Sequence, residues 1–185
     1  MKKDSIKFGS GFKYPFKRAA GLLNILWALI PIIGWFALYG YCINIVKHFI
    51  KGDFKQLPKF DFSNNIGLGF FMFFKSIPFF IVLTIAYIVV GIIPFLGVLG
   101  NMFIAIFIAP ILIINFYNKE TVASLFEFSK LEGVFNNMGE YVIAVLKTLA
   151  LRIIFGIMIL VLVGIPAGIF ARNIFLSDFY RKYVK

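Results

Sequence analysis

The chain is 185 residues long, 61% hydrophobic and only 15% charged, with a net charge of +11. Ordinary soluble domains carry roughly 45–50% apolar and about 25% charged residues, so this composition excludes an ordinary soluble domain. It predicts an all-α, polytopic helical membrane protein forming a single membrane domain over residues 1–185. The basic residues follow the ends of apolar blocks without any recognised nucleic-acid module, so we expect no nucleic-acid partner.

The chain opens with a basic segment, residues 1–18, followed by an uncharged apolar block at residues 19–46. The block is longer than the roughly 7–15 apolar residues of a signal peptide, and no small-residue cleavage pattern closes it. We therefore expect it to be retained. Pro31 and Gly34 interrupt the block near its centre, and proline removes a backbone donor from a helix. The pattern predicts a broken helix here.

A second basic segment, residues 47–75, mixes lysines with phenylalanines and leads into an uncharged run at residues 76–118. A helix needs roughly 20 residues to cross the hydrocarbon core of a bilayer, so this run is long enough to cross twice. Its turn-forming residues cluster between Gly91 and Gly100. The pattern predicts a transmembrane helical hairpin at residues 76–118.

The last third of the chain begins with a charged segment, residues 119–152, that we predict to start as an interfacial amphipathic helix. Asn118 is suited to cap this helix, with Glu120 favourably placed in its first turn. An apolar block at residues 153–171 and a short basic tail at residues 172–185 complete the chain. The apolar positions of the amphipathic helix recur at roughly helical spacing: Leu125, Phe128, Leu131 and Phe135.

Two membrane topologies remain open. If every block crosses conventionally, four spans result, with ten basic residues on one face and nine on the other. Positive residues normally concentrate on the cytoplasmic side, and this layout lacks that bias. If blocks 19–46 and 153–171 instead enter and return at their breaks, the second being at Gly164–Pro166, all basic residues lie on one side. We favour this re-entrant layout, although its broken helices must bury non-helical backbone against protein; a mixed arrangement with one re-entrant block stays open.

The charged segments combine basic and aromatic residues, which suits them to a membrane surface. Lysine and arginine attract anionic headgroups by roughly 1 kcal/mol each, and aromatic rings insert into the interface. The alternative is that these residues only orient and anchor the protein. We expect the segments to be cytoplasmic and to contact anionic lipid through six residues: Lys13, Lys17, Arg18, Lys51, Lys55 and Lys59.

Lys147 and Arg152 stand out because the sequence around them is apolar. Glu140 lies two helical turns before Lys147, on the same helix face. Lys147 and Arg152 are candidates for an intramembrane site for an anion or a headgroup; the alternative is that they snorkel from a helix end. Four asparagines in or beside the apolar blocks are expected to cross-link helices by hydrogen bonds: Asn24, Asn44, Asn101 and Asn115.

No catalytic, cofactor or metal site is predicted, and we expect the protein not to be an enzyme. The chain has one cysteine, Cys42, and one histidine, His48, which excludes a cysteine pair and offers no second histidine for a metal. It contains no phosphate-binding loop, nucleophile elbow or zinc-protease motif. All eight carboxylates lie outside the apolar blocks, which argues against an ion-coupled carrier.

Short motifs spread over most of the chain resemble one family. They are Phe12-Lys13-Tyr14-Pro15-Phe16, Gly21-Leu22-Leu23, Gly40-Tyr41, Gly52, Leu57-Pro58 and Gly67-Leu68, with a later region Glu120–Lys185 that includes Tyr180-Arg181. The family is the uncharacterised prokaryotic membrane family catalogued as domain of unknown function 4013. Its members usually have an aromatic residue, often tryptophan, soon after Leu-Pro, where this chain has Phe60 after Lys59. The resemblance implies a multi-pass bacterial or archaeal membrane protein without an established activity.

From these features we expect an interaction, scaffold or accessory subunit of the cell membrane, partnered by anionic lipids and by other membrane subunits or a second copy. The alternative is a small transport or lipid-handling protein whose broken helices form a substrate site. An enclosed polar cavity near Pro31, Pro94 or Lys147 would favour transport. A solid apolar interior would favour the scaffold.

Overall fold

The computed structural model describes residues 5–185, and this part of the chain is helical without any β-strand. Lys2 and Lys3 of the predicted basic segment lie outside the described residues. The α-helices are α1 (Phe8–Lys13), α2 (Ala19–Leu22), α3 (Ile33–Lys51), α4 (Phe62–Gly91), α5 (Leu96–Phe103), α6 (Ala109–Lys119), α7 (Glu132–Asn136), α8 (Met138–Ile157), α9 (Gly164–Ala171) and α10 (Ile174–Tyr183). Short 3-10 segments cover Tyr14–Arg18, Leu23–Leu29, Val122–Phe126, Phe128–Leu131 and Met158–Val161, and Ile104–Ile108 is π-helical.

Within the described residues, three continuous helical stretches are long and apolar enough to cross a membrane: Phe62–Gly91, Leu96–Lys119 and Met138–Val161. Their most apolar windows are only 11%, 28% and 22% buried inside the protein. Apolar surface of this extent is stable in lipid and not in water, so the chain is a helical membrane protein, as predicted.

The helices begin earlier than the apolar blocks do. α4 begins at Phe62, inside the segment 47–75, and α8 begins at Met138, inside the segment 119–152. Lone basic residues such as Lys75 and Lys147 do not interrupt a helix, since lysine is a good helix former with a long side chain. The first residue of each apolar block therefore does not mark the start of its helix.

The amphipathic helix predicted to follow Asn118 is wrong. Asn118 lies in the last turn of α6, and Glu120 ends that helix with a positive φ of 58°. The chain then forms two 3-10 turns, in which Leu125 is buried and Phe128 is 56% exposed. Leu125, Phe128 and Leu131 recur every three residues, which is the 3-10 period and not the α-helical one.

The chain reverses direction at three similar turns, centred on Ile32, Phe95 and Leu162. Each central residue has a φ of 60–62°. The N–H of the residue after it donates to the carbonyl of the residue before it at 2.7 Å, and this hydrogen bond defines a γ-turn. The predicted breaks at Pro31–Gly34 and in residues 91–100 are confirmed. We call these turns tip 1 (30–34), tip 2 (92–97) and tip 3 (161–164).

Antiparallel helices meet closely behind the tips. At tip 1, a Cβ added to Gly34 would lie 1.9 Å from the carbonyl oxygen of Trp27, and at tip 3 a Cβ on Gly164 would lie 2.2 Å from that of Phe155. Glycine is therefore required where each chain reversal brings backbone against backbone. Glycines also allow α3 and α4 to contact each other closely where they cross. A Cβ atom on Gly40 or on Gly69 would lie 1.9 Å from a carbonyl oxygen of the opposite helix.

Buried tyrosines tie the helices into one core. Tyr41 donates to the carbonyl of Pro58 at 3.0 Å, and Tyr141 donates to that of Ile106 at 2.5 Å. Ile106 lies in the π-helical segment, where widening of the helix leaves carbonyls free to accept such bonds. Both side chains have no exposed surface, so their hydroxyls need these partners.

Candidate membrane-binding face and anion site

Four segments that are distant in sequence meet at one end of the protein: residues 5–18, 52–61, 120–131 and 178–185. We call this the charged end. The N–H of Ile6 donates to Asp178 at 2.9 Å, and Lys130 donates to the carbonyl of Val184 at 3.2 Å. Lys47 and Lys75 both bind Glu120, the first through its carboxylate and the second through its carbonyl. Residues 5–18 and residues 178–185 therefore pack against the same face as both internal charged segments.

Two of the six predicted lipid-contact residues hold the segments of the charged end together. Lys17 donates to the carbonyl of Phe54 and Arg18 to that of Leu57, each at 3.3 Å. The remaining four are exposed and have no side-chain hydrogen bond or ion pair within the described residues: Lys13, Lys51, Lys55 and Lys59. The structure thus leaves four cations free for a surface and uses the other two internally.

The loop at residues 52–61 is ordered by Asp53. Its carboxylate accepts from the backbone N–H of Lys55 at 3.1 Å and lies 3.1 Å from the imidazole of His48. These contacts, the Lys55 N–H first, hold the pKa of Asp53 below its ordinary value of 3.8. The single histidine is therefore engaged in a loop-fixing contact.

A polar network is centred on Asn115, one of the asparagines predicted to cross-link helices. Asn115 accepts from the hydroxyl of Tyr180 at 2.6 Å and donates to the carbonyl of Ser124 at 2.7 Å and to Glu127 at 3.2 Å. Lys119 donates to both oxygens of Glu127 at 2.6 and 2.8 Å, and this contact lowers the pKa of the carboxylate. Asn115 thus cross-links α6 to α10, as predicted for the asparagines, and Asn44 likewise bonds Asn65 at 2.6 Å.

Lys147 and Arg152 do not share a site. Five residues at 100° each set their side chains about 140° apart around α8. Lys147 lies 5.9 Å from the ring centre of Phe175, beside a cavity of about 20 Å³ that Glu140 also lines. The predicted shared face of Glu140 and Lys147 is confirmed, whereas the pairing of Lys147 with Arg152 is wrong.

Arg152 instead faces Arg172, a residue that the sequence analysis missed. Both line a groove of about 280 Å³ between α8 and α9. Arg172 follows Gly164 and Gly168 at intervals of four, so the three share one face of the returning helix. This spacing could have indicated Arg172 from the sequence. It identifies a site only when the helix that packs against this face is known.

The described residues contain no group of three or more His, Cys, Asp or Glu side chains able to hold a metal ion. The carboxylates of Glu120, Glu127 and Asp178 instead bind lysine or arginine side chains at the charged end. The arrangement suits surface recognition of anions.

One family model matches residues 23–164 of the chain, and its description is "Protein of unknown function (DUF4013)". No curated protein and no solved structure matches the chain.

Proposed function

Since the chain belongs to the DUF4013 family, whose function is unknown, we propose from its geometry that it is a non-enzymatic scaffold or accessory subunit of a bacterial or archaeal cell membrane. It is inserted from the cytoplasmic side, with the charged end on an anionic leaflet, tips 1 and 3 inside the bilayer and tip 2 at the far end of the membrane-crossing hairpin. Its partners are anionic lipids and either other membrane subunits or a second copy.

The contacts within the charged end carry this proposal. A four-crossing layout puts residues 5–18 and 178–185 across the membrane from residues 52–61 and 120–131, yet these segments are hydrogen-bonded to one another. The re-entrant layout keeps them together. It also agrees with the concentration of positive charge on the cytoplasmic side.

The tips support insertion because their side chains are apolar and most of their backbone polar groups are hydrogen-bonded. Their central residues Ile32, Phe95 and Leu162 are each 63% or more exposed. Proline at tips 1 and 2 has no N–H, and the γ-turns use the N–H that follows the central residue, which reduces the backbone polarity facing lipid. From Lys47, Lys75 and Lys147 to the corresponding tips, helices of 1.5 Å per residue reach roughly 20–25 Å, close to the roughly 30 Å hydrocarbon thickness.

The packed interior supports a scaffold over a carrier. The cavity beside Lys147 measures about 20 Å³, enough for about one water molecule. The outer face of α4 is uncovered along Phe73, Ile77, Phe80 and Ile81. An apolar helix face of this length can pack against another membrane subunit.

An open apolar groove of about 590 Å³ between tip 1 and tip 3 favours the second candidate, lipid handling. Residues 19–29 form one wall, and Leu162, Val163 and Pro166 form the other. Transfer of labelled lipid between vesicles containing the purified protein tests this alternative. Transfer no faster than in protein-free vesicles would exclude it.

Cysteine accessibility tests the orientation. In a Cys42→Ala background, single cysteines replace Ser10, Gln56 and Ser129 at the charged end and Leu160 next to tip 3. We expect an impermeant maleimide to label the first three from the cytoplasmic side alone and Leu160 from neither side. Labelling of Ser10 and Gln56 from opposite sides would contradict the orientation.

Photocrosslinking tests the scaffold role. A photoreactive residue replaces Ile81 or Thr84 on the exposed face of α4, and a control replaces Gln56 at the charged end. We expect a discrete protein adduct from the α4 positions and none from Gln56. Lipid adducts alone at both α4 positions would count against a subunit contact there.

A further inference from the structure

The groove between α8 and α9 pairs two arginines with an apolar channel. Arg152 and Arg172 lie at one end, and the channel runs from them toward tip 3 along Ile159 and Ile165. Its volume of about 280 Å³ is open to the outside of the protein. A cationic end and an apolar body are the two parts of a site for an amphiphile.

Glycines make this groove. The Gly164 contact with Phe155 holds the helices together near tip 3, but Gly156 and Gly168 face open space: an added Cβ would meet nothing within 4 Å at Gly156 and only Phe155 Cβ at 3.5 Å at Gly168. Backbone contact alone therefore does not require glycine at these two positions. Their missing side chains are what leave the channel between α8 and α9.

The two arginines lack a counterion among the residues that the structure describes. Among the described residues, neither has a carboxylate within 4.0 Å, and Arg172 lies near enough to act on Arg152 by charge repulsion. Their neighbours along α8, Leu149, Ile153 and Ile157, are apolar and each more than 50% exposed. Charges on a lipid-facing surface are costly unless they are paired.

We propose that this groove binds one anionic phospholipid, whose phosphate lies between Arg152 and Arg172 and one of whose acyl chains lies along the groove toward tip 3. Two guanidinium groups suit a phosphate because each offers paired N–H donors in one plane. The depth of the site also suits a headgroup, since Phe155, one helical turn from Arg152, contacts two rings of the charged end. Phe12 stacks on Phe155, and Phe16 packs edge-to-face against it. The phosphate thus sits at the boundary between charged end and tips.

The test measures lipid retained by the full-length protein. Native mass spectrometry follows phosphatidylglycerol and phosphatidylcholine binding to the detergent-solubilised chain during titration with each lipid. We expect one phosphatidylglycerol bound at least about tenfold more tightly than phosphatidylcholine, and R152Q/R172Q to lose that preference. The matched control K7Q/K185Q removes the same charge from two exposed lysines without side-chain partners in the described residues, and should bind as the original chain does.

A second variant tests the channel without changing charge. G156L/G168L fills the groove at positions where the first side-chain atom has room, and we expect it to weaken phosphatidylglycerol binding by about tenfold. Equal binding of both lipids by the original chain would overturn the proposal, as would full retention in R152Q/R172Q or an equal loss in K7Q/K185Q. If R152Q/R172Q does not fold, unchanged binding by G156L/G168L is decisive against the site. None of these results depends on the scaffold role or on the labelling of the charged end.

Discussion

At the scale of single residues, Gly40 and Gly69 decide how closely α3 and α4 approach. Each Cα faces a backbone carbonyl of the other helix, that of Asn65 for Gly40 and that of Phe36 for Gly69. Small residues allow such close contact between membrane helices, where van der Waals packing replaces the hydrophobic effect. A methyl group at either position would push two backbones apart, because no flexible side chain is available to yield.

We therefore expect Gly40→Ala and Gly69→Ala to destabilise the fold by about 1–3 kcal/mol, the range of an overpacked core. Thermal unfolding in detergent, followed by circular dichroism, measures the change. Gly67→Ala is the matched control in α4, since its added Cβ meets nothing within 4 Å and alanine favours helix. Equal losses at Gly67 and Gly69 would refute the close-contact explanation.

The carboxylate of Glu127 gives the charged end a pH dependence. Its pKa is lowered, first by the Lys119 contact. A carboxylate with a lowered folded-state pKa contributes stability above its unfolded value, and this is lost as pH falls through the folded pKa. The effect is small, less than about 1 kcal/mol, because the pair is partly exposed.

We expect the melting temperature to fall between pH 6 and pH 3, and to fall less in Glu127→Gln. Glu132→Gln is the control, because Glu132 is exposed and has no ion pair within the described residues. A pH profile identical in Glu127→Gln and the original chain would assign the acid sensitivity to other groups. Melting is followed by circular dichroism at constant ionic strength.

At the scale of elements, the three tips share one way of reversing the direction of an apolar helix. Tips 1 and 2 share the pattern Ile-Pro-x-x-Gly, at residues 30–34 and 93–97. Proline ends the incoming helix, the next residue takes a positive φ, and glycine lets the outgoing helix pack closely. Tip 3 has the same γ-turn without the proline, and this is why its break was harder to locate from sequence.

Ile32 is the most strained residue of tip 1, because β-branched residues rarely adopt a positive φ. We expect Ile32→Gly to leave stability unchanged or to raise it, since relief of about 1–2 kcal/mol offsets the lost side chain. Ile33→Gly, at the first position of α3, should lower stability by about 1 kcal/mol. The free energy of unfolding of each variant is measured in mixed micelles. An equal loss of stability in both variants would show that Ile32 is not strained in the γ-turn.

At the scale of the whole molecule, charge is separated from apolar surface. The exposed lysines Lys51, Lys55 and Lys59 lie in or beside the charged end, and the exposed apolar residues cluster on α4, α5, α8 and the tips. A body of this kind has a preferred leaflet. Attraction of each lysine to an anionic surface is worth roughly 1 kcal/mol and is screened by salt.

We expect the triple variant Lys51→Gln, Lys55→Gln and Lys59→Gln to reduce the enrichment of anionic lipid around the reconstituted protein. Spin-labelled phosphatidylglycerol measures that enrichment, and high salt should remove most of the difference from the original chain. Gln56→Ala, on the same loop without a charge change, should match the original chain. Enrichment that is unchanged in the triple variant would mean that these lysines do not face the leaflet.

Three properties could be predicted from the order of residues alone: the chain is helical, it is a membrane protein, and its first two apolar blocks break where they do. These properties depend on local composition, because lipid requires long uncharged helices and proline or glycine ends them. Helix ends at Phe62 and Met138 were missed because one charged residue does not interrupt a helix.

Contacts between residues that are distant in sequence could be identified only from the folded structure. Ile6 reaches Asp178 across almost the whole chain, and Arg152 faces Arg172 in place of Lys147. Such neighbours depend on the direction in which each tip returns the chain and on the rotation of each helix about its axis. Neither quantity is encoded by the hydropathy of a segment, since both are set by packing between segments.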